Sequence, residues 1–217
     1  MSVDRPQGAE ARETARIEAF SDGIFAVAAT LLVLDLKVPH DAAGGQALAR
    51  ALAAQWPAYL AFVTSFAFIG IMWINHHRLF TLIKRSDNML LVSNGLLLLG
   101  VTFVPFATAV LAEYIPRAGA PVATAMYSGT YTVVAIFFNL LWHHASHKNR
   151  LLDHRADPEM IDAITRGYKF GPLLYFVTFV LAFISVPASL AMNLALAIFF
   201  ALPSQNPLVK RKVAARF

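Results

Sequence analysis

The chain has no cysteine, and charged residues make up only 14% of its 217 positions. Without cysteine there is no disulfide framework, no thiolate metal site and no cysteine nucleophile. So little charge excludes an ordinary soluble enzyme, because globular domains carry about 25% charged residues. Here 58% of the residues are hydrophobic and the mean hydropathy is +0.57. No nucleophile triad, phosphate-cradling glycine loop, internal repeat or low-complexity segment is present. Disorder is excluded by what the chain has in plenty, 17 Phe and long Leu, Val and Ile runs.

A helix crosses the roughly 30 Å of bilayer hydrocarbon with about 20 apolar residues. Six stretches of that kind lie between the charges, at 17–36, 56–75, 89–112, 122–142, 170–185 and 186–202. The last two share one apolar block and are divided at Val186-Pro187, where proline interrupts a helix. The expected fold is therefore an all-α integral membrane protein with six transmembrane helices. Residues 1–16 precede the membrane domain at 17–202, and a basic tail follows at 203–217. With the N-terminus inside, 15 of the 18 Lys and Arg fall on cytoplasmic segments, and only Lys37, Arg50 and Arg117 lie outside. That asymmetry predicts two cytoplasmic termini. The net charge of +5 and pI near 9.7 express it. Neither a soluble basic face nor aromatic-basic interleaving is present to bind nucleic acid. A cleaved signal is not expected either, because the first apolar run is too long and Glu10, Glu13 and Glu18 crowd its basic flank.

The first span places an acid, Asp22, inside an apolar run. A charge at a helix centre costs about 2.5–3.5 kcal/mol on insertion scales, so such a residue faces protein or water and needs a partner. At about 100° per residue, Phe20, Val27, Leu31 and Leu34 share a sector of about 60°, while Ser21 and Asp22 point to the far side. Gly23 and Thr30 flank this stripe. The second span ends in Trp73-Ile74-Asn75-His76-His77-Arg78 at the same cytoplasmic depth. Asp22 against His76 or His77 is the expected pair, a helix-to-helix contact rather than an ion site.

Other landmarks have plainer expectations. His143 and His147 are four apart on a helix with His144 beside them, but no HExxH pattern accompanies them, and a headgroup-facing or solvated role is expected. Trp56, Tyr59, Trp142 and Tyr168 fall near interfaces, as anchoring aromatics do. The stretch 150–166 reads as a short solvated cytoplasmic segment. Asp35 and Lys37 close the first span at its outer mouth, either drawing in cations or simply standing in water. Pro105 predicts a kink in the third span. Lys210-Arg211-Lys212 lies close enough to the membrane to touch anionic lipid. A secondary transporter of small cations or solutes is the competing reading, and the chain shows none of the repeat symmetry such folds carry.

Arg16-x-x-x-Phe20-Ser21-Asp22 and the residues after it resemble the first-helix signature of the transmembrane protein 175 family of potassium channels, in its bacterial single-repeat form. Trp73-Ile74-Asn75-His76-His77-Arg78 and Phe103-Val104-Pro105-Phe106 are similar to that family too, so the likeness covers roughly residues 16–110. The resemblance implies a homotetrameric cation channel in a bacterial plasma membrane, with first helices lining the pore, potassium as permeant ion and no cofactor. It also implies that Val27, Thr30, Leu31 and Leu34 narrow the pore, and that Arg16, Ser21, Asp22, Trp73, His76 and His77 form a structural polar network. Relatives often carry Ile or Leu where this chain has the smaller Val27. No TVGYG segment is present, so carbonyl oxygens do not replace the ion's water. Apolar rings would instead strip water partly and replace it poorly, favouring potassium, the more weakly hydrated ion.

Overall fold

Long apolar runs leave backbone groups no partner but each other, so helix is the structure they must take in hydrocarbon. The computed structural model of the protein describes residues 7–40 and 43–201, with side chains from residue 12 onward. Seven α-helices are described: α1 (Gln7–Leu31), α2 (Gly45–Ala54), α3 (Trp56–Leu82), α4 (Asn88–Tyr114), α5 (Ala120–Ser146), α6 (Pro158–Leu181) and α7 (Val186–Ala201). A 3-10 turn, Leu32–Asp35, extends α1. Among the described residues, four segments are long and apolar enough to cross a membrane: Arg12–Asp35, Trp56–Leu82, Asn88–Tyr114 and Ala120–Asn149. They coincide with the first four expected spans, and α4 continues as helix through Pro105.

The fifth expected span, 170–185, is displaced: α6 runs over Pro158–Leu181. The segment 150–166 is not all loop: α6 begins at Pro158, capped by Asp157, whose carboxylate accepts from the Glu159 amide. Asp followed by Pro is a helix-start signal that outweighs the surrounding charge. The first turns of α6 thus carry Glu159, Asp162, Arg166 and Lys169, and its apolar part is short. Helix α7 runs over Val186–Ala201, matching the expected 186–202, and its 16 described residues rise about 24 Å. Helix α2 lies in the connection between the first two expected spans, where its length of 10 residues is too short to cross a membrane. The tail 203–217, with Lys210, Arg211 and Lys212, lies outside the described residues.

The core is centred on α4 and α5, with α6 against α5 and α1 and α3 against α4. Without a hydrophobic drive between helices in lipid, packing and interhelical hydrogen bonds hold such a bundle. Two polar knots do this away from α1. In one, Thr108 donates to Ser65, which bonds the Tyr127 hydroxyl, joining α3, α4 and α5. In the other, Asn193 donates to Ser128, Thr178 donates to Asn193, and Ser189 donates to the Thr178 carbonyl, joining α5, α6 and α7. Trp142 is a core residue rather than an interfacial anchor: it is buried, and its indole donates to Thr165 of α6 at 3.0 Å.

Candidate functional site on the first helix

Helix α1 presents two different sectors. Thr14, Ile17, Ser21, Phe25, Ala28 and Leu32, spaced three or four apart, are buried against α3 and α4. Phe20, Val27, Leu31 and Leu34 are 65%, 53%, 41% and 73% exposed, so the apolar stripe is turned out of the protomer. Thr30 is exposed beside it and spends its hydroxyl on the Val27 carbonyl at 2.9 Å.

The 3-10 turn sets the register at the far end, because residues three apart eclipse one another in that geometry. Leu34 therefore stands in line with Leu31, continuing the stripe. Asp35 stands in line with Leu32, which is wholly buried. The Asp35 carboxylate accordingly turns to the protomer side, where one oxygen, Oδ2, is buried with no hydrogen-bond partner. Nearby, Glu113 holds both Arg117 at 2.5 Å and Lys37 at 3.6 Å. A cavity of about 630 Å³ opens among these groups.

At the other end the polar residues of α1 form a two-layer anchor. In the inner layer Ser21 donates to the Ile17 carbonyl at 2.8 Å and accepts from Asn94 of α4 at 3.0 Å. The Asn94 carbonyl oxygen faces His76 Nε2 at 3.0 Å, so His76 donates from Nε2. Its Nδ1 is buried without a partner, and the ring packs between Phe25 and Phe80. Every donor in this chain has one acceptor, and the three helices α1, α3 and α4 are tied at one depth.

The outer layer is a ladder. Trp73 donates its indole N–H to Asp22 at 2.9 Å, and Glu18 bonds His77 Nδ1 at 2.7 Å. The expected partner of Asp22 was His76 or His77; the structure gives it Trp73 instead. The reason is register: Glu18 and Asp22 are four apart on α1, Trp73 and His77 four apart on α3, and the bonds pair 18 with 77 and 22 with 73, as antiparallel helices require. His76 points about 100° away from His77, toward α4. Arg16 is exposed and joins none of these bonds. Asn94 was missed in the sequence, although a lone Asn inside the third apolar span is the same signal that singled out Asp22.

The histidines of α5 sit elsewhere. His144 donates to Asp87 at 2.9 Å, and Arg150 reaches the same carboxylate at 3.1 Å. Asp87 also caps α4 by accepting from the Leu90 amide. Burial pushes the Asp87 carboxyl upward, but the Leu90 amide, the His144 hydrogen bond and the charges of His144 and Arg150 outweigh it and hold the group below its ordinary value. The His143 and His147 rings lie 6.1 Å apart. Among the described residues no three His, Asp or Glu side chains converge to hold a metal.

This geometry has known relatives. The family model of the endosomal/lysosomal potassium channel TMEM175 matches residues 16–105, which contain the stripe and the whole anchor. A potassium channel of Chamaesiphon minutus is 54% identical over 196 residues, covering 90% of this chain and 97% of that one. A potassium channel of Streptomyces collinus is 45% identical over 205 residues, covering 94% and 98%. The crystal structure of a lysosomal potassium-selective channel TMEM175 homolog from Chamaesiphon minutus superposes with a TM-score of 0.81 at 51% identity, covering 90% of this chain and 100% of that chain. The chain is thus an integral membrane protein that belongs to the TMEM175 family of ion channels.

Proposed function

We propose that the protein is a potassium-permeable channel, selective for potassium over sodium. Four copies surround a shared axis with α1 innermost, and Val27, Thr30, Leu31 and Leu34 form the constriction. Each chain crosses the membrane six times with both termini in the cytoplasm of a bacterium, α6 and α7 completing the count. The observation that carries this reading is the outward stripe. The anchor through Ser21, Asn94, His76, Asp22 and Trp73 fixes the rotation of α1, and this rotation leaves Val27, Leu31 and Leu34 without a partner inside the protomer. The names of the two bacterial relatives, both potassium channels aligned over nearly their full lengths, support the choice of ion.

Selection at such a constriction comes from dehydration. Rings of Val and Leu offer no side-chain oxygens, and the Thr30 hydroxyl, whose hydrogen goes to the Val27 carbonyl, adds only one neutral oxygen per copy. An ion that passes must shed water without full replacement, and potassium sheds it more easily than sodium. The same rings gate by dewetting when they close. Potassium and sodium flux from liposomes tests the reading. Leu31→Ala and Leu34→Asn should each raise flux several-fold and bring the two permeabilities closer together. Unchanged permeability ratios in both variants would remove these residues from the filter.

A further inference from the structure

A second cavity lies between α3, α5, α6 and α7, away from the stripe. Its volume is about 60 Å³, several times the roughly 10–15 Å³ that admits one water, yet Phe68, Met72, Tyr131, Phe138, Tyr175 and Phe200 give it an almost wholly carbon wall. Ile71, Asn75 and Phe200, all half-exposed, form its open side. The amide of Asn75 donates to the Phe200 carbonyl at 3.3 Å, so a polar bridge between α3 and α7 stands at this side of the slot. Tyr175 is only 8% exposed, and its hydroxyl has no hydrogen-bond partner among the described residues. The same is true of the Tyr168 hydroxyl. Dry niches of this kind hold apolar ligands rather than water, and two idle hydroxyls beside one mark the place for an acceptor.

Charge stands at one end only. Arg78 follows Asn75 by three residues, one helical turn nearer the end of α3, and its charge reaches Tyr168. Its guanidinium has no acidic partner among the described residues. Lys169, adjacent to Tyr168 on α6, is exposed and leans over the Phe170 ring. A carbon-lined slot with hydroxyls at its lip and two unpaired cations beyond matches one kind of molecule in a bilayer.

We infer that this cavity binds one anionic phospholipid of the leaflet at the Arg78 end, its acyl chain entering past Ile71 and Phe200, an ester oxygen reaching Tyr168 or Tyr175, and its phosphate lying between Arg78 and Lys169. The inference rests on the chain's lying in a bilayer and not on what ion it conducts. The test is native mass spectrometry of the full-length protein after exchange into phosphatidylglycerol or phosphatidylcholine micelles. Two basic side chains near an anionic headgroup correspond to a preference of about tenfold or more, so wild type should retain phosphatidylglycerol at least about tenfold over phosphatidylcholine. Arg78→Gln with Lys169→Gln should abolish that preference while leaving neutral lipid bound. Ala135→Phe, which fills the slot, should lower retention of both lipids. Equal retention of the two lipids by wild type, or an undiminished preference in the double variant, would overturn the site; full retention by a well-folded Ala135→Phe protein would put the tail elsewhere and overturn it too. Potassium flux, measured on the same variants in liposomes, reports separately on the channel reading.

Discussion

Asn94 is the residue on which the anchor of α1 depends most. It satisfies two buried partners at once, accepting from His76 and donating to Ser21. A buried donor or acceptor left without its partner costs about 1–3 kcal/mol, and Asn94→Ala strands one of each. The expected result is a loss of about 2–4 kcal/mol in unfolding from detergent, while Arg16→Ala, on an exposed side chain outside the network, changes little. Equal stability of the Asn94→Ala and wild-type proteins would show that the inner layer is idle. Asp22 itself was legible in the sequence because a charge among apolar residues demands explanation. Its partner was not, because choosing among Trp73, His76 and His77 requires the relative rotation of two helices, which no single-chain periodicity contains. Asp35 was legible only in part: the 3-10 turn that swings its carboxylate inward has no marker in the residues beyond Val38-Pro39.

At the scale of elements, the first four spans could be located from uninterrupted hydropathy bounded by charge, but their ends could not: α1 begins at Gln7, before the expected 17, and α3 runs to Leu82, past the expected 75, because helix continues into the flanking polar residues. The start of α6 could not, because charged residues there obey the cap at Asp157 and not the hydropathy window. Two elements invite direct tests. On α1, Gly23 is exposed, and a Cβ built there meets nothing within 4 Å inside the protomer. Nothing inside the protomer requires this position to be small. Gly23→Ile should therefore leave the protomer folded, by helical circular dichroism and thermal unfolding, yet shift the elution of the assembly or cut flux at least several-fold. Normal assembly and flux would mean that this face meets only lipid. At the start of α4, Asp87 joins the 82–88 connection to α5 and the loop after it through His144 and Arg150. Its carboxyl is held below its ordinary value in the folded protein. The stabilisation is therefore fully present above the unfolded-state value of about 3.9 and is lost as pH falls through the lower folded one. Thermal unfolding of wild type should weaken below about pH 4, and Asp87→Asn should flatten that acid limb. The same acid slope in both proteins would place its origin elsewhere.

For the molecule as a whole, composition and charge settled the class before any helix was located. Little charge and much apolar residue led to the expectation of a membrane protein, and the 15 of 18 basic residues that six spans would put on one side led to the expected orientation. The chain alone does not say what its outward faces meet, because exposed apolar surface on a single protomer serves lipid, a second copy or a pore equally well. The anchor through Ser21, Asn94, His76, Asp22 and Trp73 ties α1 to α3 and α4, and the rotation it holds turns the stripe outward. The absence of cysteine makes the decisive measurement clean. Potassium flux through Leu31→Cys protein in liposomes should be blocked by cadmium and restored by a chelator, as four thiolates facing one aqueous path would bind the metal, while wild type stays unblocked. Undiminished flux through Leu31→Cys protein in saturating cadmium would contradict a pore lined by the first helix.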